Sequence, residues 1–281
     1  MKFFFLLARR VPDGPSRVVL DVRDALTRRG HQVASVIAEE ELTALGRIGP
    51  AHDLCLLKSY TELSLSLSGA LEARAARLIN PHAGCVAVRN KIVCQQMLWQ
   101  AGVPVPESWV TGDFNLLRSL VRRFPLILKP YMGWRGQGIC IVRDERDLGS
   151  FAKCSSPMLV QRYIPNRGED LRIYVAGDEV FATRKPFSST SFSVAGEPAP
   201  VSAEIRDIAL RCGRLFGLRL YGLDIIEGAD GPRVVDVNYF PGYKGVPHAA
   251  RIVADYVEAH AQSLCERNRE SAIANPAAVD W

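Results

Sequence analysis

Apolar positions along the chain fall into short runs and amphipathic stretches that alternate. "KFFFLLA" (2–8) is an apolar run of strand length. No small-residue cleavage site follows it, so it reads as a first buried strand and not as an export signal. Ser16 can cap a helix that runs to "TRRG", with Gly30 as its stop. "HQVASVI" and "DLCLLK" (53–58) are the next strands. A helix is expected from about 61 to 76, and "ARLIN" ends at Pro81. Over 1–88 the order is βαβαβ, which predicts a small parallel sheet with crossover helices.

Beyond residue 88 the pattern changes. Asn90 opens a helix, "KIVCQQMLWQAG", closed by Gly102. A helix over 114–123 precedes the strand "PLILKP". The glycine loop "YMGWRGQG" and the strand "ICIVR" come next, then a helix over 144–153 and the strand "MLVQRYI". This βαββαβ-like lobe, 89–165, is expected to be mostly antiparallel. "EDLRIYVAGDEVFATRK" reads as a hairpin turning at Gly177-Asp178. Residues 187–200, rich in Ser, Pro and Gly, read as a mobile loop. A helix over 202–216 leads to a second hairpin, "YGLDIIEGADGPRVVDVNYF", turning at 228–231, and a last helix spans 248–267. These elements fill 166–268, and 269–281 reads as a frayed tail.

Composition narrows the class. The 281 residues are 48% hydrophobic and 23% charged, ordinary for a globular protein. No apolar run reaches the roughly 18–20 residues of a membrane span. Seven scattered cysteines form no CxxC pair, which argues for reduced thiols in a cytoplasmic protein and against a zinc site. A net charge of +5 without a Lys/Arg block gives no reason to expect a nucleic-acid partner. A homo-oligomer is left open.

Candidate chemistry concentrates in the second hairpin. Asp236 and Asn238 are two apart on one strand and share a face, and an antiparallel partner can bring Asp224 beside them. Three hard oxygens that leave room for water and phosphate suit Mg²⁺ held with a nucleotide. A solvated strand face would look similar, but the surrounding Val, Ile and Leu favour burial. The glycine loop suits a lid over phosphates, and Lys129 just before it can point a compact charge at them. Gln161 can hydrogen-bond a base, with the backbone of 162–164 reading its edge. Arg172, Arg184 and Lys185 on the first hairpin can neutralise phosphate charge.

Taken in order, these pieces resemble the ATP-grasp superfamily from about Asn90 to Ala254. The resemblance implies an α/β fold with α+β lobes, preceded by a βαβαβ pre-grasp domain. It implies that Lys91 and Lys129 contact ATP phosphates under a lid formed by Gly133, Arg135, Gly136 and Gly138. Gln161 and the backbone of Arg162, Tyr163 and Ile164 would hold adenine, with Asp170 near the ribose. Asp224, Asp236 and Asn238 would bind Mg²⁺ or Mn²⁺. Arg172, with Arg184 or Lys185, would hold the γ-phosphate and the reacting carboxyl. The sequence departs from the pattern twice: Asp236 stands where Glu is common, and the hinge reads Gln161-Arg162 instead of Gln-Glu.

"GEDLRIYVAGDEV" is most similar to RimK-type ligases, whereas "DVNYFPGYKGV" is similar to inositol-polyphosphate kinases of the same fold. The ligase reading implies a small carboxylate and an amine, amino acid or peptide, joined through an acylphosphate. The kinase alternative implies a polyol pocket drawing on Lys58, Lys244 and Arg251. A non-catalytic nucleotide-binding regulator is the third reading.

Overall fold

The computed structural model describes residues 1–9, 16–133, 136–150, 156–166, 168–186 and 194–274, apart from the side chains of residue 150 and of 268–274. By internal contacts the chain divides into two units, Met1–His82 with Pro247–Trp281, and Ala83–Val246.

In the first unit the order is β1 (Lys2–Leu7), α1 (Arg17–Arg28), β2 (Gln32–Ile37), β3 (Leu54–Lys58), α2 (Glu62–Ala73) and β4 (Leu78–Ile79), so it is βαββαβ and not the expected βαβαβ, because only two 3₁₀ turns lie between β2 and β3. The strands pair in parallel in the order β2-β1-β3-β4. Every residue of β3 is buried, as befits a central parallel strand covered on both faces. Helix α2 stops at Ala73, short of the expected 76, and Ala75 takes φ +62.

The second unit begins with α3 (His82–Arg89, of which His82 belongs to the first) and α4 (Lys91–Gln100). Asn90 caps α4 as its side chain suggests: Oδ1 accepts from the amides of Ile92 and Val93. β5 (Ser108–Thr111), α5 (Arg118–Val121), β6 (Leu126–Pro130), β7 (Cys140–Val142), α6 (Glu145–Ser150) and β8 (Met158–Arg162) form a lobe. Its four strands pair antiparallel in the order β5-β8-β6-β7. One sheet face packs Leu126, Leu128, Val142, Met158 and Val160 against Leu117, Val121 and Leu148. The expected helix over 114–123 is instead a 3₁₀ turn, Phe114–Leu117, followed by the single turn α5. Asp113 caps the Asn115 amide there and favours the tighter turn.

The other lobe contains β9 (Glu169–Ala176), β10 (Glu179–Pro186), β11 (Glu197–Ala199), α7 (Ala203–Phe216), β12 (Leu220–Gly228) and β13 (Gly231–Tyr239). The sheet order is β11-β10-β9-β12-β13, antiparallel throughout. Part of the stretch read as a loop, Glu197–Ala199, is thus an edge strand on β10, while 187–193 lie outside the described residues. The last helix, α8 (Ala249–Ala274), belongs to the first unit and runs past the expected stop at 267. Its final turns, "CERNRESAIA", are rich in residues that favour helix.

Candidate active site

β12 and β13 set the site. Asp224 stands directly across from Asp236, and Asn238 is two residues on, across from Gly222. All three side chains therefore share one sheet face, as their spacing predicts. On β9, Arg172 pairs with Asp224 across the strands. Its NH1 lies 2.6 Å from Asp224 Oδ1, and its Nε donates to Asp170 Oδ2 at 2.7 Å. One guanidinium thus bridges two carboxylates in a planar fork. Lys185 stands across from Asp170 on β10 and is buried.

The β5–β8 lobe contributes two lysines. Lys91, at the first position of α4, donates to Asp236 Oδ1 at 2.7 Å. Lys129, on β6, is 5% exposed and donates to the Val235 carbonyl at 2.8 Å. Val235 is the extra residue where the β12–β13 register shifts, so the irregularity turns a carbonyl toward the lysine. The backbone amide of Lys91 donates to the Tyr131 carbonyl, tying the start of α4 to the glycine loop.

Electrostatics follow from this packing. Burial brings Lys129 down to about 8, with Asp236 opposing and Lys91 reinforcing the shift. Burial pushes the Asp224 carboxyl up to about 6, and the facing Asp236 adds to it against the pull of Arg172. Burial also acts to raise Asp236, but Lys91 and Lys129 outweigh it and hold that carboxyl below its usual range.

The remaining expected residues divide. Gln161 is fully buried, and its Nε2 donates to Gln95 Oε1 at 3.1 Å and to Ser108 Oγ at 3.4 Å. Its Oε1 has no hydrogen-bond partner among the described residues, and neither has Asp170 Oδ1. The amides of Arg162 and Tyr163 are engaged by the carbonyls of Glu107 and Pro125, and the Ile164 carbonyl accepts from Asn166. The Arg162 side chain is exposed and stacks over Phe124 at 4.9 Å, away from this cluster. Gly133 donates to the Pro130 carbonyl, and Gly136 and Gly138 take φ +74 and +71 in the turn that follows. Arg135 lies outside the described residues.

Arg184 is not brought into the cluster. It alternates with Lys185, so it emerges on the opposite sheet face, where NH1 pairs with Glu227 at 2.6 Å in a half-exposed ion pair. Sequence reasoning missed Gln95, Ser108, Tyr174 and Thr183. Tyr174 and Thr183 lie on the Arg172 face of β9 and β10, and the signal that could have found them is two-residue alternation counted from Arg172.

The donor chemistry fits a divalent cation. Two carboxylates oppose each other across adjacent strands and now rely on a guanidinium and an ammonium for compensation. Among the described residues no group of three His, Cys, Asp or Glu side chains gathers. Two carboxylates and an amide leave coordination positions for phosphate and water, the usual way magnesium is held with a nucleotide.

Comparisons with known proteins bear on the family and the fold. Residues 88–258 match the RimK-like ATP-grasp domain. A probable alpha-L-glutamate ligase of Shewanella loihica is 24% identical, over 88% of this chain and 93% of the relative. The protein of that name from Haemophilus influenzae strain PittEE is 28% identical, over 72% of this chain and 74% of its own length. Among solved structures, the RimK domain protein ATP-grasp of Sphaerobacter thermophilus superposes with TM-score 0.72 at 22% identity, covering 92% of this chain and 99% of the other. The ATP-grasp ligase PsnB, complexed with a minimal precursor, Mg and ADP, gives 0.69 at 24% identity, covering 92% and 98%. D-alanine–D-alanine ligase of Bacillus anthracis complexed with ATP gives 0.69 at 17% identity, covering 97% of each.

Proposed function

The chain belongs to the RimK-like ATP-grasp family, and from that premise we propose that it is an ATP- and magnesium-dependent ligase joining a carboxylate to an amine through an acylphosphate. The observation that carries the proposal is the cluster of Asp224 and Asp236 facing each other, bracketed by Lys91, Lys129 and Arg172. In this reading 1–88 form the pre-grasp domain, with α8 packed in the same unit, 89–165 the lobe with the glycine lid, and 166–246 the lobe with the metal site. The relatives' name, alpha-L-glutamate ligase, supports an amino acid or peptide as substrate.

Each residue has a task that follows from its chemistry. Lys91 and Lys129 hold the nucleotide's phosphates, and burial strengthens their attraction by excluding water. Asp224, Asp236 and Asn238 would hold Mg²⁺, which when bound supplies positive charge to the phosphoryl group in flight. Arg172 and Lys185 orient the attacking carboxylate and neutralise charge on the transferring group. Arg184, paired on the far face, is left out of this assignment. The backbone of 162–164, with Gln161 behind it, reads the adenine edge, and Asp170 lies toward the ribose. No protein nucleophile is required, because positioning and charge neutralisation dominate phosphoryl transfer. Gly133, Gly136 and Gly138 give the turn over the phosphates its shape and keep water from the acylphosphate.

Among the described residues no helix is long and apolar enough to cross a membrane, and Cys55, Cys85, Cys94 and Cys212 are buried free thiols, which supports a reducing cytoplasm. The deciding experiment follows ADP release from MgATP over a panel of amino acids and short peptides, then weighs the product. ADP that appears only with both a carboxylate and an amine, and a product lighter than the sum of the two by one water, is the expected result. A stable phosphorylated alcohol formed without an amine would instead establish the kinase.

A further inference from the structure

Within the first unit the structure assigns a docking surface to β2: its outer edge pairs antiparallel with the same strand of a second copy of this chain, about a two-fold axis at Ser35. β2 lies at the end of its sheet, with β1 on one side. The Gln32 amide donates to the Met1 carbonyl. By the alternation of a parallel ladder, Ala34 and Val36 also turn their backbone groups toward β1. Val33, Ser35 and Ile37 turn theirs outward, where no strand pairs with them among the described residues.

Such an edge is a template for another strand, and chains that stay single blunt it with shortness, proline or charge. The other edges of the described sheets carry these devices. β4, β5 and β7 are two, four and three residues long. β11 contains Pro198, and β13 contains Pro232, Arg233 and Asp236. β2, "QVASVI", is six residues long and has no proline and no charge. In the connection that follows it, Leu42 and Leu45 are the two most exposed large apolar side chains among the described residues. Apolar surface gathered in this way marks a protein contact.

Self-complementarity selects a second copy as the occupant. Antiparallel pairing of the outward residues with Ser35 opposite Ser35 sets Val33 opposite Ile37 twice, once on each side of the axis. Both are half-buried and stand level with Phe3 and Leu7 of β1, which are buried, so each cross-strand pair extends an existing apolar face. The flanks carry opposite charge. Before β2 come Arg28, exposed, and Arg29, held by Asp255 and Glu258. After it come Glu39 and Glu41, exposed, and Glu40, held by Arg9. Antiparallel strands bring the basic start of one copy to the acidic end of the other, whereas parallel strands would set like against like. The contact uses the same surface on both partners and closes at two copies.

The test is the mass of the full chain in solution, by sedimentation equilibrium over a dilution series. The unaltered protein should reach the mass of two chains, twice 31.0 kDa. Ser35→Pro removes one outward N–H and no bond to β1, as an edge strand tolerates. Ser35→Lys sets two ammoniums face to face at the axis, and Ser35→Glu two carboxylates. Each variant alone should weaken association by about tenfold or more, with native circular dichroism. An equimolar mixture of the Lys and Glu variants should regain the two-chain mass, which a merely misfolded strand would not do. If Ser35→Pro loses its native spectrum, that mixture decides alone. A single-chain mass for the unaltered protein at every dilution would overturn the pairing. So would a two-chain mass that persists in the Lys and Glu variants taken singly, or natively folded Lys and Glu variants that stay single when mixed.

Discussion

At the scale of single residues, the site is a set of charges whose burial makes each depend on its neighbours. Asp236 accepts from Lys91 and stands across from Asp224. Asp236→Ala is expected to cut ADP formation by about 10²–10³-fold, the range seen when one electrostatic stabiliser is lost. Circular dichroism should stay native, because the lost pairing with Lys91 is offset by relief of repulsion on Asp224. Full turnover in that variant would remove Asp236 from the metal site. Lys129 gives a pH dependence with a definite sign. Its ordinary value is 10.5 and burial brings it to about 8. Between these values the unfolded chain holds a proton that the folded chain has released, so this residue's contribution to stability rises with pH across that window. Phosphate binding favours the charged form and acts in the opposite sense. MgATP affinity should therefore weaken as pH rises through 8, and binding near pH 8 should take up protons, a quantity that calorimetry in buffers of different ionisation enthalpy measures. Lys129→Arg, charged throughout, should abolish the uptake. Proton-neutral binding by the unaltered protein would refute the assignment.

At the scale of elements, the two hairpins were the most legible parts of the chain, and the reason is local. Gly177 takes φ +64 at the predicted turn, and alternating burial along β13 matches its alternating sequence. The face shared by Asp224, Asp236 and Asn238 followed from that period. Helix α3 was not legible. "HAGCVAVR" has no acidic first turn and no polar stripe, and its middle is set by tertiary fit: a Cβ on Gly84 would lie 2.2 Å from the Phe216 carbonyl. Arg184 was misplaced because Arg184-Lys185 read as a pair, whereas adjacent strand residues point to opposite faces. The start of α4 carries its own prediction. Asn90 caps two amides immediately before Lys91, so Asn90→Ala should cost about 1 kcal/mol in urea unfolding. It should also raise KM for MgATP, because the frayed first turn no longer fixes Lys91. Asn90→Ser should recover most of both losses, and stability unchanged in Asn90→Ala would mean that the cap contributes nothing.

At the scale of the whole molecule, the contacts that matter most join stretches far apart in the chain, which is why composition and periodicity could not show them. Lys91 and Asp236 are 145 positions apart, and only the ordered set of motifs hinted that they meet. Within the first unit, α1 and α8 are packed together from opposite ends of the sequence. Val19, Val22 and Leu26 on one, and Val253, Ala254, Val257 and Ala261 on the other, are fully buried. At the edge of this contact Arg29 pairs with Asp255 and with Glu258, and His31 Nε2 lies 2.9 Å from Glu258. Two kinds of interaction therefore hold the terminal helix, and their magnitudes differ. The ion pairs are partly exposed, with the Arg29 side chain 29% accessible, and exposed pairs contribute roughly 0–1 kcal/mol. An apolar side chain removed wholly from water contributes about 1.5–3 kcal/mol, and a charge put in its place has no partner. Arg29→Ala should accordingly shift the urea midpoint only slightly, and less still at high salt. Val257→Asp should lower stability by about 3 kcal/mol or more, with amide exchange accelerating first in α1 and α8. If the two variants lost stability equally, the charged edge and not the apolar seam would be what fastens the end of the chain to its beginning.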